Sequence, residues 1–182
     1  ISMIKKQIAI LGSTGSIGMT TLDIIKKDKK KFDLVLLTTN KNVSKIYQQA
    51  VYFKVKNVII LDNSKYLLWK NKFIKKNIKV FNNFDALDKI FKKKIYYSIN
   101  AISGLHGLFP TLKIIKYSKK IAIANKESII CGWKLISREL KKNKTTFIPV
   151  DSEHFSIFKL IDGEPHQQIK KIILTASGGP FL

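Results

Sequence analysis

The sequence predicts an α/β fold, a doubly wound parallel sheet, and three observations predict it. Short apolar runs recur along the chain and alternate with longer amphipathic stretches, the order of βα units whose sheet is covered on both faces. The first run, Ile8, Ile10 and Leu11, leads at once into Gly12, Gly15 and Gly18. Polar or glycine-bearing loops then follow the strand ends at 38–42, 100–107 and 125–128, the edge at which open α/β sheets bind ligands.

The first unit carries the most information. Residues 7–11 read as a strand buried on both faces. A helix starting near Ser16 is expected to carry Ile17, Leu22, Ile24 and Ile25 inward. Strand, tight glycine turn and helix N-terminus together make an anion site. Glycines let the backbone approach a pyrophosphate, while free N–H groups and the helix dipole stabilise its charge. The spacing is G-x-x-G-x-x-G and not the commoner G-x-G-x-x-G, so a plain βα turn stays open as an alternative. Its context between strand and helix makes the unit Rossmann-like.

The second strand, 34–37, ends in Thr38-Thr39-Asn40-Lys41-Asn42. A dinucleotide fold commonly has an acid here, about 20 residues past the glycines, to bind a ribose 2′-OH. This chain has hydroxyls, amides and Lys41 instead. Such a site repels no 2′-phosphate, so NADP is preferred over NAD. The alternative for Lys41 is one more surface lysine.

Further units follow. Helices are predicted over 43–53, 66–75 and 85–91, and strands over 58–61, 80–81 and 95–99. Trp69 and the aromatic residues of these helices read as packing. Residues 100–107 form a glycine-bearing loop, and Pro110 suits the first turn of the next helix. His106, alone in that loop, carries no catalytic assignment. A strand over 121–124 leads to Asn125-Lys126-Glu127-Ser128, where Asn125 is a good N-cap for a helix running to Leu140. These four residues either only cap a helix or also place a lysine and a carboxylate at the ligand edge. Cys131, with Trp133 and Leu135, reads as helix packing and not as a nucleophile. Pro149 demotes its strand to an edge or an exit, and the domain boundary is placed there.

Beyond it, Asp151 and Glu153 stand two residues apart at a helix start. They either hold a hard divalent cation through oxygen or belong to a capped helix. A helix over 155–161, a polar loop over 162–168, a strand over 169–174 and an oxyanion-holding turn over 175–180 complete the reading. Ending on a glycine turn after a strand, the chain reads as a fragment.

Composition bounds the remaining possibilities. Hydrophobic residues make up 45% of the 182, enough for a real core. The formal net charge is +22, yet Arg138 is the only arginine among 34 basic residues. A nucleic-acid binder clusters its charge on one face and uses arginine for bidentate contacts. Here lysines spread from Lys5 to Lys171, as A- and T-rich coding produces, and no nucleic-acid partner is expected. Cys131 is the only cysteine, which excludes an internal disulfide and fits a reducing compartment. No apolar run approaches the ~18 residues of a membrane span, and the first strand begins too early to leave room for a signal peptide. Ile1 and Ser2 precede Met3, so a cytoplasmic bacterial protein or a trimmed precursor for a plastid-type organelle both fit.

Four motifs resemble one family in order and spacing: Leu11-Gly12-Ser13-Thr14-Gly15-Ser16-Ile17-Gly18, Ala124-Asn125-Lys126-Glu127-Ser128, Pro149-Val150-Asp151-Ser152-Glu153-His154 and Ser177-Gly178-Gly179-Pro180-Phe181. That family is 1-deoxy-D-xylulose 5-phosphate reductoisomerase. The resemblance covers essentially the whole chain. It implies a rearrangement of the sugar phosphate followed by reduction of the aldehyde with NADPH, using Mg²⁺, Mn²⁺ or Co²⁺, on the methylerythritol phosphate route to isoprenoids. It further implies an NADP-binding Rossmann-like domain over 1–149 and the beginning of an α+β catalytic domain over 150–182.

Residue by residue, the resemblance implies that Thr14, Gly15, Ser16 and Ile17 contact the cofactor phosphates. Asn40, Lys41 and Asn42 match positions around the 2′-phosphate, with Asn40 standing where the family usually has glycine. Asn125 and Glu127 match further cofactor contacts. Lys126, Ser152, Glu153 and Ser177 match substrate-binding positions, with Lys126 and Glu153 catalytic. Asp151 and Glu153 match two metal ligands, and the third is expected beyond Leu182, which predicts that the fragment alone is inactive. A homodimer is also implied, with no membrane partner. Two other readings compete: another NADP-dependent oxidoreductase sharing this half, and a basic binding module without catalysis.

Overall fold

The computed structural model describes residues 4–150, 152–163, 165 and 168–173, with the side chains of 152–154 left out. The chain divides into two compact units, Ile1–Ile148 and Pro149–Leu182. The first contains β1 (Lys6–Leu11), α1 (Ser16–Lys27), β2 (Phe32–Thr39), α2 (Val43–Tyr52), β3 (Asn57–Ile60), α3 (Asn63–Ile74) and β4 (Lys79–Phe81). A 3-10 turn (Phe84–Ala86) and α4 (Leu87–Ile90) follow, then β5 (Ile95–Asn100), a second 3-10 turn (Leu105–Gly107), α5 (Leu108–Ile115), β6 (Ser118–Ile123) and α6 (Lys126–Lys142). β7 (Thr146–Pro149) closes the sheet at the boundary between the units, and α7 (Ser152–Leu160) belongs to the second.

The strands form one sheet in the order β4-β3-β2-β1-β5-β6-β7, and the pairs from β4 through β6 are parallel. This is the doubly wound arrangement predicted. The direction of winding reverses between β1 and β5, so the crevice beyond their C-terminal ends is the topological switch point where such sheets bind ligands. β7 lies at the edge, where Pro149 removes no ladder bond from a central strand.

Strand alternation explains the two layers of core. Ile8 and Ile10 point to the face covered by α1, α2 and α3, with Leu22, Ile46 and Phe73 against them. Ala9 and Leu11 point to the opposite face, where Ile114, Ile115, Ile136 and Leu140 pack. Both faces of β1 are therefore apolar, and its short run reads as continuous hydrophobicity.

Several expected details are corrected. In α1 the buried stripe is Gly18, Leu22 and Ile25, spaced four and three apart, while Ile17 and Ile24 are 41% and 60% exposed. Ile24 falls off the stripe, and Ile17 sits in the first turn at the mouth of the crevice. In α6 the buried stripe is Ser128, Gly132, Ile136 and Leu140, which leaves Cys131, Trp133 and Leu135 exposed. Trp133 still meets the Phe147 ring edge-on at 5.7 Å. The helix expected over 85–91 is a 3-10 turn followed by one short helical turn. Residues 169–173 carry no regular structure where a strand was expected, because among the described residues no neighbour pairs with them. Leu174 and the turn over 175–180 lie outside the described residues.

Candidate functional site

The glycine turn follows β1, and each of its three glycines meets a different constraint. Gly12 has φ +80, a left-handed conformation, and a Cβ there would lie 3.0 Å from the Ala101 carbonyl carbon and oxygen. At Gly18 a Cβ would come within 2.4 Å of the Gly12 oxygen and 2.6 Å of the Ser13 Cα. These two glycines are required by close packing of the turn on β5 and on α1. Gly15 is not: it is exposed and extended, and an added Cβ would meet nothing nearer than the Gly12 oxygen at 3.6 Å. The protein itself leaves room over Gly15.

That room lies over an open helix end. Gly15 is the N-cap of α1, with no side-chain cap and no acid in the first turn. The first intrahelical bond is Met19 N–H to the Gly15 carbonyl at 2.9 Å, so the N–H groups of Ser16, Ile17 and Gly18 have no preceding-turn carbonyl to bond. Their partial positive charge, together with the Thr14 and Ser16 hydroxyls, makes a receptor for an anionic group.

The end of β2 is tied to this turn. Gly12 N–H donates to Thr38 Oγ1 at 2.9 Å, Ser13 N–H donates to the Thr38 carbonyl at 3.0 Å, and the Thr14 and Thr39 hydroxyls share a bond of 2.8 Å. Asn40, Lys41 and Asn42 come next, all exposed, and so stand beside the turn. Asn42 also caps α2, its Oδ1 accepting from Lys45 N–H at 3.4 Å. Asp62 lies one strand further out. Hydrogen bonds from the Ser64 hydroxyl and the Lys65 amide hold its carboxyl below the ordinary carboxylate range, and Lys41 adds a weaker attraction.

On the other side of the switch point, the loop after β5 and the start of α6 interlock. Asn100 is buried; its Nδ2 donates to the Gly107 carbonyl at 2.8 Å and to Thr111 Oγ1 at 2.6 Å. Asn125 is buried as well. Its Oδ1 accepts from Ser128 N–H at 2.9 Å, while its Nδ2 donates to the Ile102 carbonyl. One donor and one acceptor site of its amide are thus used within the protein, which fixes the side chain and leaves a second N–H and a second oxygen lone pair. Lys126 and Glu127 open α6 with exposed side chains. Glu127 suits the positive end of the helix dipole and Lys126 opposes it, a placement the helix itself does not favour.

A cleft of about 550 Å³ runs between these two sides, with Leu61, Phe84, Ile102 and Phe109 as apolar walls and Asn40, Ser103 and His106 at its polar edges. The expected residues 14–17, 40–42 and 125–127 are therefore gathered at one sheet edge. Ser152 and Glu153 lie in α7 of the second unit, and Asp151 and Ser177 lie outside the described residues. Among the described residues no three His, Cys, Asp or Glu side chains cluster as metal ligands, and no helix is long and apolar enough to cross a membrane. Sequence reasoning missed Gln49, whose amide bonds Ser13 at two points. A glutamine inside an amphipathic helix carries no local signal, and its partner is 36 residues away.

Comparison with known proteins supplies further findings. A family model described as 1-deoxy-D-xylulose 5-phosphate reductoisomerase matches residues 8–132, and the model of that family's C-terminal domain matches residues 147–182. The chain is 58% identical over 178 residues to the reductoisomerase of Pelagibacter ubique, and 45% identical over 179 residues to that of Porphyromonas gingivalis. These alignments cover 97% and 98% of this chain and 46% of each relative, so the chain spans about half the length of the curated relatives it matches. Among solved structures, the Zymomonas mobilis enzyme in complex with NADPH matches with a TM-score of 0.75 at 33% identity, over 82% of this chain and 40% of its own. A reductoisomerase in complex with NADPH, fosmidomycin and magnesium matches with a TM-score of 0.78 at 30% identity, over 85% and 38%.

Proposed function

The chain belongs to the 1-deoxy-D-xylulose 5-phosphate reductoisomerase family, and from that premise we propose that it forms the NADPH-binding part of an enzyme converting 1-deoxy-D-xylulose 5-phosphate to 2-C-methyl-D-erythritol 4-phosphate. The observation that carries this reading is the open N-terminus of α1 under Gly15, a glycine the fold alone does not require. A dinucleotide pyrophosphate fits that space and supplies the acceptors that α1 lacks.

The remaining assignments follow from the chemistry of the side chains. Thr14, Ser16 and the first N–H groups of α1 hold the pyrophosphate. Lys41 and Asn42, with Asn40 beside them, meet the 2′-phosphate, which no acid at the end of β2 repels. The apolar cleft beside Asn40 takes the flat adenine ring, with Leu61 and Ile102 on its faces. Asn125 and Glu127 complete the cofactor contacts at the start of α6. Lys126 places a fixed positive charge beside the reacting oxygens of the substrate. Asp151 and Glu153 are hard oxygen donors of the kind that Mg²⁺ or Mn²⁺ prefers, and Ser152 and Ser177 bind the sugar phosphate. When bound, NADPH supplies the hydride and the divalent cation polarises the substrate's carbonyl and hydroxyl oxygens. The domain division at residue 149 then places the metal ligands beyond the cofactor domain, while Lys126 brings that domain to the substrate.

The test is turnover by the intact protein, followed as substrate-dependent NADPH oxidation while metal is titrated. Asp151→Asn is expected to lower the rate at least ~100-fold, the scale of loss when a reacting centre is misplaced, and to leave NADPH affinity unchanged. Normal turnover by Asp151→Asn would show that this acid caps a helix and binds no metal.

A further inference from the structure

The glycine turn and the loop carrying Lys41 belong to different βα units, and one side chain ties them together. Gln49 lies on α2 and is partly buried. Ser13 Oγ donates to Gln49 Oε1 at 2.8 Å, and Gln49 Nε2 donates to the Ser13 carbonyl at 3.0 Å. The Ser13 carbonyl can only accept, so the nitrogen of the amide must face it, and the orientation of Gln49 is determined. Ser13 is itself fully buried, with its N–H already bonded to the Thr38 carbonyl at 3.0 Å. The residue between Gly12 and Thr14 is therefore held by β2 through its N–H and by α2 through its hydroxyl and carbonyl.

α2 makes this clasp consequential. It begins at Val43, capped by Asn42, with Lys41 just before the cap. A single helix thus runs from the residues assigned to the 2′-phosphate to the side chain that grips the pyrophosphate turn. The hydroxyl pair of Thr14 and Thr39 adds a second, shorter tie on the same side.

We propose that Gln49 is a positioning residue of the dinucleotide site: its two bonds to Ser13 set the distance between the N-terminus of α1 and the Lys41–Asn42 pair. The inference rests on the NADPH reading above. A ligand with both phosphates engages two subsites at once, and its gain from doing so depends on their spacing being held in advance. A ligand with the pyrophosphate alone senses only the turn. Loosening the clasp therefore weakens NADPH more than NADH.

The experiment measures dissociation constants for NADPH and NADH with the intact wild-type protein, Gln49→Met and Ser13→Ala, alongside their melting temperatures. Gln49→Met is expected to reduce the preference for NADPH over NADH about fivefold, the net worth of roughly one hydrogen bond, with little change in NADH affinity. Ser13→Ala keeps the bond from Nε2 to the carbonyl and should shift the preference in the same direction by less. Equal weakening of both cofactors in step with a lower melting temperature would overturn the inference, because Gln49 would then be a structural clamp only. If Gln49→Met does not fold, the Ser13→Ala preference decides by the same criterion. A wild-type preference that neither variant alters overturns this inference alone. A wild-type protein that binds neither nucleotide, or both equally, overturns the cofactor reading and this inference with it.

Discussion

Helices α1 and α6 both begin at the same sheet edge, α1 after the strand that borders the switch point and α6 after the second strand on its other side, yet their N-termini are finished in opposite ways. α6 is closed by its own sequence: Asn125 accepts from Ser128 N–H at 2.9 Å, and Glu127 places a negative charge in the first turn. α1 has neither a side-chain cap nor an acid. With glycine as the N-cap the backbone donors stay open, at a cost of roughly a few tenths of a kcal/mol relative to a side-chain cap. α2 and α3 are capped by Asn42 and Asp62, whereas α5 continues from a 3-10 turn and has neither a side-chain cap nor an acid in its first turn. The contrast teaches where backbone binds and where side chains do. At α1 the helix end itself is the receptor. At α6 the cap already takes the Ser128 N–H, and the end adds the exposed side chains of Lys126 and Glu127.

The contrast is broken most severely at Gly18. Gly18→Ala would drive a Cβ to 2.4 Å from the Gly12 oxygen, and the obstructing atoms are backbone that cannot swing aside. We expect a loss of ~3 kcal/mol or more in stability and no measurable binding of either nicotinamide cofactor, read by denaturant melts and by titration. A variant as stable as the wild type with intact NADPH binding would mean that the turn has a geometry other than the one described. Lys41 sharpens the contrast from the side of a capped helix. Because Lys41 acts through its side chain and not through the dipole, Lys41→Asp should reduce NADPH affinity by ~1–3 kcal/mol and leave NADH affinity nearly untouched. Parallel titrations with the two cofactors check this, and an equal loss for both would place Lys41 near the pyrophosphate. The smallest effect is expected at the closed helix. Asn125→Ala removes the cap of α6 and should lower stability by ~1 kcal/mol, with NADPH affinity changing less than in Lys41→Asp. A collapse of cofactor binding in Asn125→Ala would show that its side-chain amide also bonds the ligand.

Much of this was legible in the residues because it depends on local rules. The apolar runs located the strands, since a strand buried on both faces has no polar alternation to disguise it. Gly12, Gly15 and Gly18 announced a tight turn open to an anion, and Asn125 announced a helix start. Pro149 announced an edge strand, and the absence of an acid after Thr39 pointed to the phosphorylated cofactor. Motifs in order identified the family, which the comparisons then established. Helix faces were read less well. Ile17, Ile24, Cys131 and Trp133 are apolar or nearly so, and composition cannot say which side of a helix a neighbouring strand will cover.

What only the tertiary structure decided is the pairing of distant groups. Whether Gly15 is demanded by the protein or left open over α1 depends on what approaches it from Gly12, a matter of ångströms that spacing does not encode. That Asn125 reaches the Ile102 carbonyl as well as capping its own helix, and that Gln49 clasps Ser13, depends on which elements the sheet order brings alongside. Local structure follows from periodicity and from the conformational limits of single residues, and these are written along the chain. Hydrogen-bond partners across 23 or 36 residues are selected by the burial that packs one βα unit against the next, where an unpaired polar group is too costly to leave.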